Sequence, residues 1–322
     1  MKTSILRVAL LLAALVAPTA ALSQSYPTKP ITLSVPFPPS GTTDSIARAL
    51  SAKLRLSLKQ EFLIDNRPGA ASLIALNHVR RQPADGYSLV LMSTTITTLP
   101  SLNVNADYTV ERDFTPIAAA GQGSMMLVVN SETGIKTVAD LIAQARASNK
   151  LTWGLASTLG FDHLGAMRIM RDAGINIETV GYKGNAPLAL DLLANRVQVV
   201  LGGSMDLFGA HIKSGRLTLL GVSSEQRYAE FPNAPTLLEA GLKDSQISLW
   251  FGVFGPAGVP PTVVTLLNRE INAAMQAPDL VERLATIGFT PLIMGPEKFA
   301  QLAYSSEKSW AATIKAMGVK PQ

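Results

Sequence analysis

The chain has 322 residues, no cysteine and a net formal charge of +5 at neutral pH. The lack of cysteine excludes disulfides, thiolate metal sites, a lipid-anchored cysteine and a cysteine nucleophile. The positive excess is mild and scattered, which argues against nucleic acid as a partner, and the length is sufficient for two domains with separate cores.

The N-terminus has the layout of a secretory signal peptide, residues 1–23. Lys2 and Arg7 precede an uncharged apolar run at 8–16. A proline and small residues follow the run as far as Ser23. The small residues at 21 and 23 predict cleavage after Ser23. The alternative is a buried N-terminal helix, because the run is short compared with the roughly 20 residues that span a bilayer.

Strand and helix patterns alternate along the rest of the chain. Apolar runs bounded by turn residues predict strands, and apolar residues at helical spacing predict helices. Strands are predicted at 31–35, 62–65, 88–92, 116–120, 125–129, 151–154, 179–182, 197–201, 217–222, 249–254 and within 288–292. Helices are predicted around 46–54 and at 72–81, 138–145 after a Thr137 cap, 161–172 ended by Gly174, 186–193, 204–213, 262–276, 279–287 and 296–317.

This alternation predicts an α/β fold with parallel sheets covered by helices on both faces. Two lobes fit so many strand–helix units better than one sheet. We therefore expect two doubly wound sheets, with the chain crossing between them near Gly123 and Trp250. Ligands of such sheets bind beyond the carboxyl ends of the strands, so two facing lobes place both sets of turns on one cleft.

The turn after the first predicted strand indicates a small-anion site. A stiff Pro/Gly/Ser/Thr segment runs directly into a helix, which aims backbone N–H groups and hydroxyls at one space, at the positive end of the helix dipole. The candidate ligand-binding residues here are Phe37, Ser40, Gly41, Thr42, Thr43 and Asp44. Asp44 has an alternative role as a helix cap.

Four later turns also follow predicted strands and offer polar groups. Residues 93–98 are interpreted as a hydroxyl-rich loop, with an ordinary serine/threonine loop as the alternative. The candidates in these turns are Thr94 and Thr95; Ser157, Thr158, Asp162 and His163; Tyr182 and Lys183; and Gly203 and Ser204. A structural histidine and a solvated lysine are the alternatives for His163 and Lys183.

The sequence lacks the common catalytic and metal-binding motifs. Its three histidines are far apart and have no metal-ligand spacing. Ser157 is wrongly spaced from the neighbouring glycines for the nucleophile elbow of an α/β hydrolase. We therefore expect no catalysis, metal or cofactor, although a Ser/His/Asp set assembled in space stays open.

An ordered series of short motifs covers essentially the whole mature chain. It comprises residues 26–31, 35–39, 65–70 (Asp-Asn-Arg-Pro-Gly-Ala), 85–87 (Asp-Gly-Tyr), 182–184 (Tyr-Lys-Gly), 211–217 and 250–258 (Trp-Phe-Gly-Val-Phe-Gly-Pro-Ala-Gly). In this series the chain resembles the extracytoplasmic receptors of tripartite tricarboxylate transporters, the Bug-type solute receptors.

The resemblance implies a two-lobed periplasmic binding protein of the type II, Venus-flytrap kind, and we expect lobes at 26–124 plus 250–322 and at 125–249. It implies a small organic acid held by amides and ordered waters of both lobes. The implied partners are membrane transporter subunits, with the receptor a periplasmic monomer. A receptor for a signalling partner and an exported α/β hydrolase are the alternatives.

This chain departs from the family pattern in two turns. It has Ser40-Gly41 where the family often has two glycines, and Leu159 and Phe161 make the second-lobe turn more apolar. These residues favour a ligand with an apolar body over a short dicarboxylate.

Overall fold

The computed structural model describes residues 26–39, 42–148, 150–156, 160–182, 184–202, 205–224, 226–228, 230–243, 247 and 249–321, with backbone only for Thr42 and Asp206. The predicted signal peptide, residues 1–23, lies outside these ranges. The strands are β1 (Ile31–Val35), β2 (Phe62–Asn66), β3 (Ser88–Ser93), β4 (Phe114–Gly123), β5 (Met126–Asn130), β6 (Thr152–Leu155), β7 (Glu178–Gly181), β8 (Val199–Gly202), β9 (Leu217–Val222), β10 (Leu249–Pro256) and β11 (Phe289–Thr290).

The helices lie mostly where the apolar spacing predicts them. They are α1 (Thr42–Leu58), α2 (Leu73–Val79), α3 (Thr95–Leu102), α4 (Val110–Asp113), α5 (Val138–Ala147), α6 (Phe161–Ala173), α7 (Asn185–Leu193), α8 (Met205–Lys213), α9 (Pro261–Met275), α10 (Pro278–Thr286) and α11 (Pro296–Ala316). Thr137 caps α5 in a reciprocal capping box with Asp140. Gly174 ends α6 in the left-handed region, at φ 60°.

The strands form two sheets. The order in the first sheet is β11-β4-β10-β3-β1-β2, and the order in the second is β7-β6-β8-β5-β9. Alternate residues of one strand enter opposite cores, as a period of two requires. Leu89 and Leu91 of β3 lie in one apolar cluster and Val90 and Met92 in the other. In β5 of the second sheet, Leu127 and Val129 lie in one cluster, and Met126 and Val128 lie in another. Each sheet therefore has a core on both faces, as the sequence predicts.

The prediction of wholly parallel sheets is wrong. β1, β2 and β3 are parallel, but β10 is antiparallel to both β3 and β4, and β11 is antiparallel to β4. In the second sheet β6, β7 and β8 are parallel, whereas β5 is antiparallel to β8 and β9. The antiparallel members include the strands that carry the chain between sheets, which are not joined to their neighbours by strand–helix–strand units.

The prediction of a loop over residues 93–98 is also wrong, because α3 begins at Thr95. The Thr97 hydroxyl donates to the Thr94 carbonyl at 2.7 Å, and the Thr98 hydroxyl donates to the Thr95 carbonyl at 3.2 Å. Both hydroxyls are thereby satisfied within the helix. Ile96 and its apolar partners at positions 99 and 102 are buried on one face, so tertiary packing overrides the low helix propensity of threonine.

Candidate ligand-binding site

The predicted turns of the first sheet meet at one edge. β1 and β3 are parallel, so their carboxyl ends lie at the same edge. Phe251 pairs with Ser93, and Leu249 pairs with Gly123, which places the start of β10 and the end of β4 at that edge as well. The turns after β1 and β3 therefore open where the chain enters and leaves this sheet.

The second sheet has the same arrangement. β6, β7 and β8 are parallel, and Met126 at the start of β5 pairs with Gly202 at the end of β8. The chain covers the distance from Gly123 to Met126 with only two intervening residues, so the two edges are neighbours. The carboxyl ends of β1, β3, β6, β7 and β8 consequently lie at the ends of the two sheets between which the chain crosses.

Hydrogen bonds from buried hydroxyls hold the crossing segments together. The Ser223 hydroxyl, which is 2% exposed, donates to the Ile247 carbonyl and accepts from the Met125 N–H, both at 2.9 Å. The Thr94 hydroxyl accepts from the Trp250 N–H at 2.9 Å, and the Thr94 N–H donates to the Trp250 carbonyl at 2.8 Å. Thr94 thus secures the crossing on the side of the first sheet, and Ser223 secures it on the side of the second.

Tyr228 adds a contact between the two halves of the molecule. Its phenol donates to the Ser124 carbonyl at 2.9 Å and lies 3.4 Å from the carbonyl of Gly288, which follows α10. Burial raises the pKa of this phenol, so it remains a donor at neutral pH. Sequence reasoning missed Ser223 and Tyr228, because a serine and a tyrosine after an apolar strand carry no local sign of a crossing.

A buried network fixes the turn after β1. The Asp44 carboxylate is 3% exposed; it accepts from Arg48 Nε at 2.8 Å and from Asn66 Nδ2 at 3.0 Å. Asn66 Nδ2 also donates to the Phe37 carbonyl at 3.0 Å. Asp44 lies in the first turn of α1 and links it to the end of β2. The side chain therefore shapes the turn, whatever it does toward a ligand.

The Asp44 carboxylate has hydrogen-bond partners within the protein, whereas the Thr43 hydroxyl has none among the described residues. The side chain is only 5% exposed, and it lies at the start of α1, where backbone N–H groups are unpaired by helix geometry. At the next turn the Thr95 hydroxyl accepts from Ser93 Oγ at 3.0 Å and keeps its own proton to donate. Among the described residues, nothing accepts the hydroxyl proton of Thr43 or of Thr95.

In the second sheet, Asp162 and Tyr182 already have partners within the protein. Asp162 Oδ2 accepts from the Ala156 N–H at 2.6 Å and so links the first turn of α6 to the residue after β6. The Tyr182 hydroxyl donates to Asp191 Oδ2 at 2.8 Å. His163 is half-buried in the first turn of α6, and burial lowers the pKa of its imidazole. His163 is accordingly neutral at physiological pH.

Several predicted site residues lie outside the described part of the chain. They are Ser40 and Gly41 after β1, the side chain of Thr42, Ser157 and Thr158 after β6, Lys183 after β7, and Gly203 and Ser204 after β8. Their contribution to a ligand site stays a prediction. Two apolar residues of the second-lobe turn differ from the family pattern. Leu159 also lies outside the described part of the chain, whereas Phe161 is 7% exposed and packs in the core. Phe161 therefore gives no support for an apolar ligand.

The Tyr182–Asp191 bond predicts a pH effect. Burial first, and then the hydrogen bond to Asp191 and the charge of that residue, raise the pKa of Tyr182 to about 12, from about 10 in an unfolded chain. The stabilisation that the neutral Tyr182 phenol adds to the folded state is complete below about pH 10, and it is lost as the pH rises through about 12. Urea titrations over this window should show the free energy of unfolding falling more steeply for the wild type than for Tyr182→Phe. Parallel curves would contradict this assignment.

A groove of about 750 Å³ lies elsewhere, along β9 and the segment after it. Thr137, Leu219 and Phe231 are among its lining residues, and none of the predicted site residues lines it. Within the described ranges, no group of three or more His, Asp or Glu side chains is placed to hold a metal ion.

None of the described helices has both the length and the apolar character needed to cross a membrane.

Comparison with known proteins agrees with this architecture. The family model of the "Tripartite tricarboxylate transporter family receptor" matches residues 46–319. The chain belongs to this family. Among its relatives, Protein BugT of Bordetella pertussis is 33% identical over 311 residues, which is 96% of this chain and 94% of BugT. A UPF0065 protein encoded in the tcbD-tcbE intergenic region of Pseudomonas sp. (strain P51) is 34% identical over 292 residues, covering 90% of this chain and 87% of the relative.

Solved structures of this receptor family share the fold. The R. palustris protein Rpa4515, solved with adipate, is 30% identical and superposes with a TM-score of 0.81, covering 92% of this chain and all of that one. The periplasmic binding protein BugD is 29% identical with a TM-score of 0.79 and the same coverage of both chains. The predicted two-lobed periplasmic-binding-protein fold and the predicted receptor family are both confirmed.

Proposed function

We propose that this receptor binds a small organic carboxylate between its two lobes and delivers it to the membrane subunits of a tripartite tricarboxylate-type transporter. The observation that carries the proposal is that the carboxyl ends of β1, β3, β6, β7 and β8 lie at the ends of the two sheets between which the chain crosses, so that the polar turns predicted there would share one space. A ligand there would contact both halves of the molecule at once.

The donors available in the described turns suit an anion held without a fixed cation. Arg48, on the helix after the first turn, is engaged by Asp44, whereas the start of α1 offers backbone N–H groups and the Thr43 hydroxyl. The adipate bound to Rpa4515 is a linear dicarboxylate. We extend that ligand class to this chain, and further propose that Ser40, Gly41, Ser157, Thr158, Lys183, Gly203 and Ser204 complete the site.

The proposed mechanism is hinge closure. We assign residues 26–124 plus 250–322 to one lobe and 125–249 to the other, with the hinge between Thr94–Trp250 on one side and Ser223 on the other. A ligand that contacts both lobes binds the closed form better than the open form, and so shifts the population toward closure. The transporter would then recognise the closed receptor.

The proposal places the receptor in the periplasm as a monomer, after removal of the signal peptide at 1–23. It includes no catalysis and no cofactor. His163, which is the histidine closest in sequence to Ser157, is half-buried at the start of α6. The hydrolase alternative requires a base within hydrogen-bond reach of a nucleophile, and consumption of the added compound in the binding test below would support it.

The proposal is tested by identifying what the receptor binds. The protein is purified from periplasm without refolding, and mass spectrometry identifies any acid that is released. Calorimetric titration then compares linear dicarboxylates from succinate to suberate with the matching diamides. We expect saturable binding of an unmodified acid and none of the diamide. Equal binding of acid and diamide, or consumption of the added compound, would refute the carboxylate-receptor function.

A further inference from the structure

Helix α11 is anchored in both halves of the molecule. Near its start, Phe299 is fully buried beside Trp250 and Phe254 in a core of the first sheet. Near its end, Trp310 and Ile314 are buried in a core of the second sheet. The helix has 21 residues, about 30 Å at 1.5 Å per residue. It therefore forms a third link between the lobes, beside the two crossings of the chain.

The end of α11 that lies at the second sheet packs against α6. The Trp310 ring meets the Phe161 ring edge-on, with centroids 5.3 Å apart and an interplanar angle of 68°. The Arg168 guanidinium lies 5.7 Å from the centroid of the Trp310 ring, within the range of a cation–π contact. Phe161 and Arg168 are seven residues apart on α6 and share one face of that helix. One indole thus contacts two positions on α6 that lie about two turns apart.

The same end of α6 carries the candidate ligand turn. Asp162, next to Phe161, holds the end of β6 through the Ala156 N–H. At its other end α11 packs against β4 and α3, and α3 follows the first-sheet turn at Thr94. A displacement of Trp310 would therefore move the start of α6 and the end of β6 relative to α3.

We infer that Trp310 is a positioning residue that sets the spacing between the two lobes, and through it the population of the binding-competent form. The effect on ligand affinity rests on the proposed function, but the effect on lobe spacing does not. If Trp310 only fills space, its replacement would lower stability and leave the spacing unchanged.

The experiment measures lobe separation in the unliganded protein. Because the chain has no cysteine, spin labels can be placed at Leu56→Cys on α1 and Leu190→Cys on α7, which are 70% and 69% exposed. The distance distribution is recorded by double electron–electron resonance in this background and with Trp310→Leu added. Leucine keeps an apolar side chain but loses both ring contacts.

We expect Trp310→Leu to broaden and displace the distance distribution, and to weaken binding of adipate or the best acid by about three- to tenfold, through a lower competent population. Trp310→Phe should restore both the parent distance distribution and the affinity for the acid. The control is Phe208→Leu on α8, a fully buried ring in the core on the other face of the second sheet, which should lower the melting temperature without moving the distance.

The inference is overturned if Trp310→Leu loses stability as Phe208→Leu does while the distance distribution stays that of the parent. A displaced distribution together with no binding of any acid by the parent protein would uphold the role of Trp310 and refute the proposed function instead.

Discussion

Replacing Thr43 by valine should weaken binding of the carboxylate ligand by about ten- to a hundredfold. The Thr43 hydroxyl lies at the start of α1, is 5% exposed and has no intramolecular partner in the described part of the chain. A hydrogen bond to a charged group contributes about 1.5–3 kcal/mol, which corresponds to that range of affinity. Valine keeps the branched shape, so the loss reports the hydroxyl alone. Calorimetric titration with the best-binding acid measures it.

Two variants control this experiment. Thr43→Ser restores the hydroxyl and should bind within a few-fold of the wild type. Thr98→Val removes a buried hydroxyl that donates to the Thr95 carbonyl inside α3, so it changes the same chemistry without facing the proposed ligand. Wild-type affinity in Thr43→Val would show that the acid is held by other groups of the cleft.

Replacing Phe299 by alanine should destabilise the protein by about 3–5 kcal/mol, the usual cost of deleting a buried aromatic ring. Its ring lies 5.6 Å from that of Trp250 and 5.3 Å from that of Phe254. Gly252 makes room for it, because a Cβ at 252 would lie 2.1 Å from Phe299 Cζ. At roughly 2–4 °C per kcal/mol, the melting temperature should fall by roughly 6–20 °C.

Leu56→Ala provides the matched comparison for Phe299→Ala. Leu56 is 70% exposed, so its truncation should change the free energy of unfolding by no more than about 0.5 kcal/mol. Differential scanning calorimetry or urea unfolding followed by circular dichroism measures both. A Phe299→Ala protein that melts within a degree or two of the wild type would contradict the packing described for α11.

Local patterns predicted most of the elements, because apolar periodicity and capping residues act over short stretches of chain. The Thr137 cap and the Gly174 stop both function as their residue types indicate. The direction of β4, β5 and β10 was not predictable in the same way. It depends on partners more than a hundred residues apart, such as Phe251 and Gly121, and no local pattern records such a pairing.

The candidate site was predictable as a set of turns but not residue by residue. A short polar side chain after a strand looks the same whether it faces a ligand or its own backbone. Thr43 and Thr94 show the difference: Thr94 bonds to Trp250, 156 residues away, whereas Thr43 has no such partner in the described chain. The strand–helix alternation and the family resemblance both predict the cleft, but only the pairing of β10 assigns Thr94 to the crossing.

The position of β10 between β3 and β4 also orders the assembly of the molecule as the chain is synthesised. The second sheet consists of one uninterrupted stretch, β5 to β9, so it can pair fully as soon as Val222 has emerged. The first sheet stays in two parts, β1–β3 and β4, until Leu249–Pro256 inserts between them. Trp310 arrives later still, and with it the ring contact to Phe161 of α6. A chain that emerges N-terminus first would therefore leave the facing edges of β3 and β4 unpaired while the whole second sheet forms, so these two strand edges are where it is most exposed to incorrect pairing.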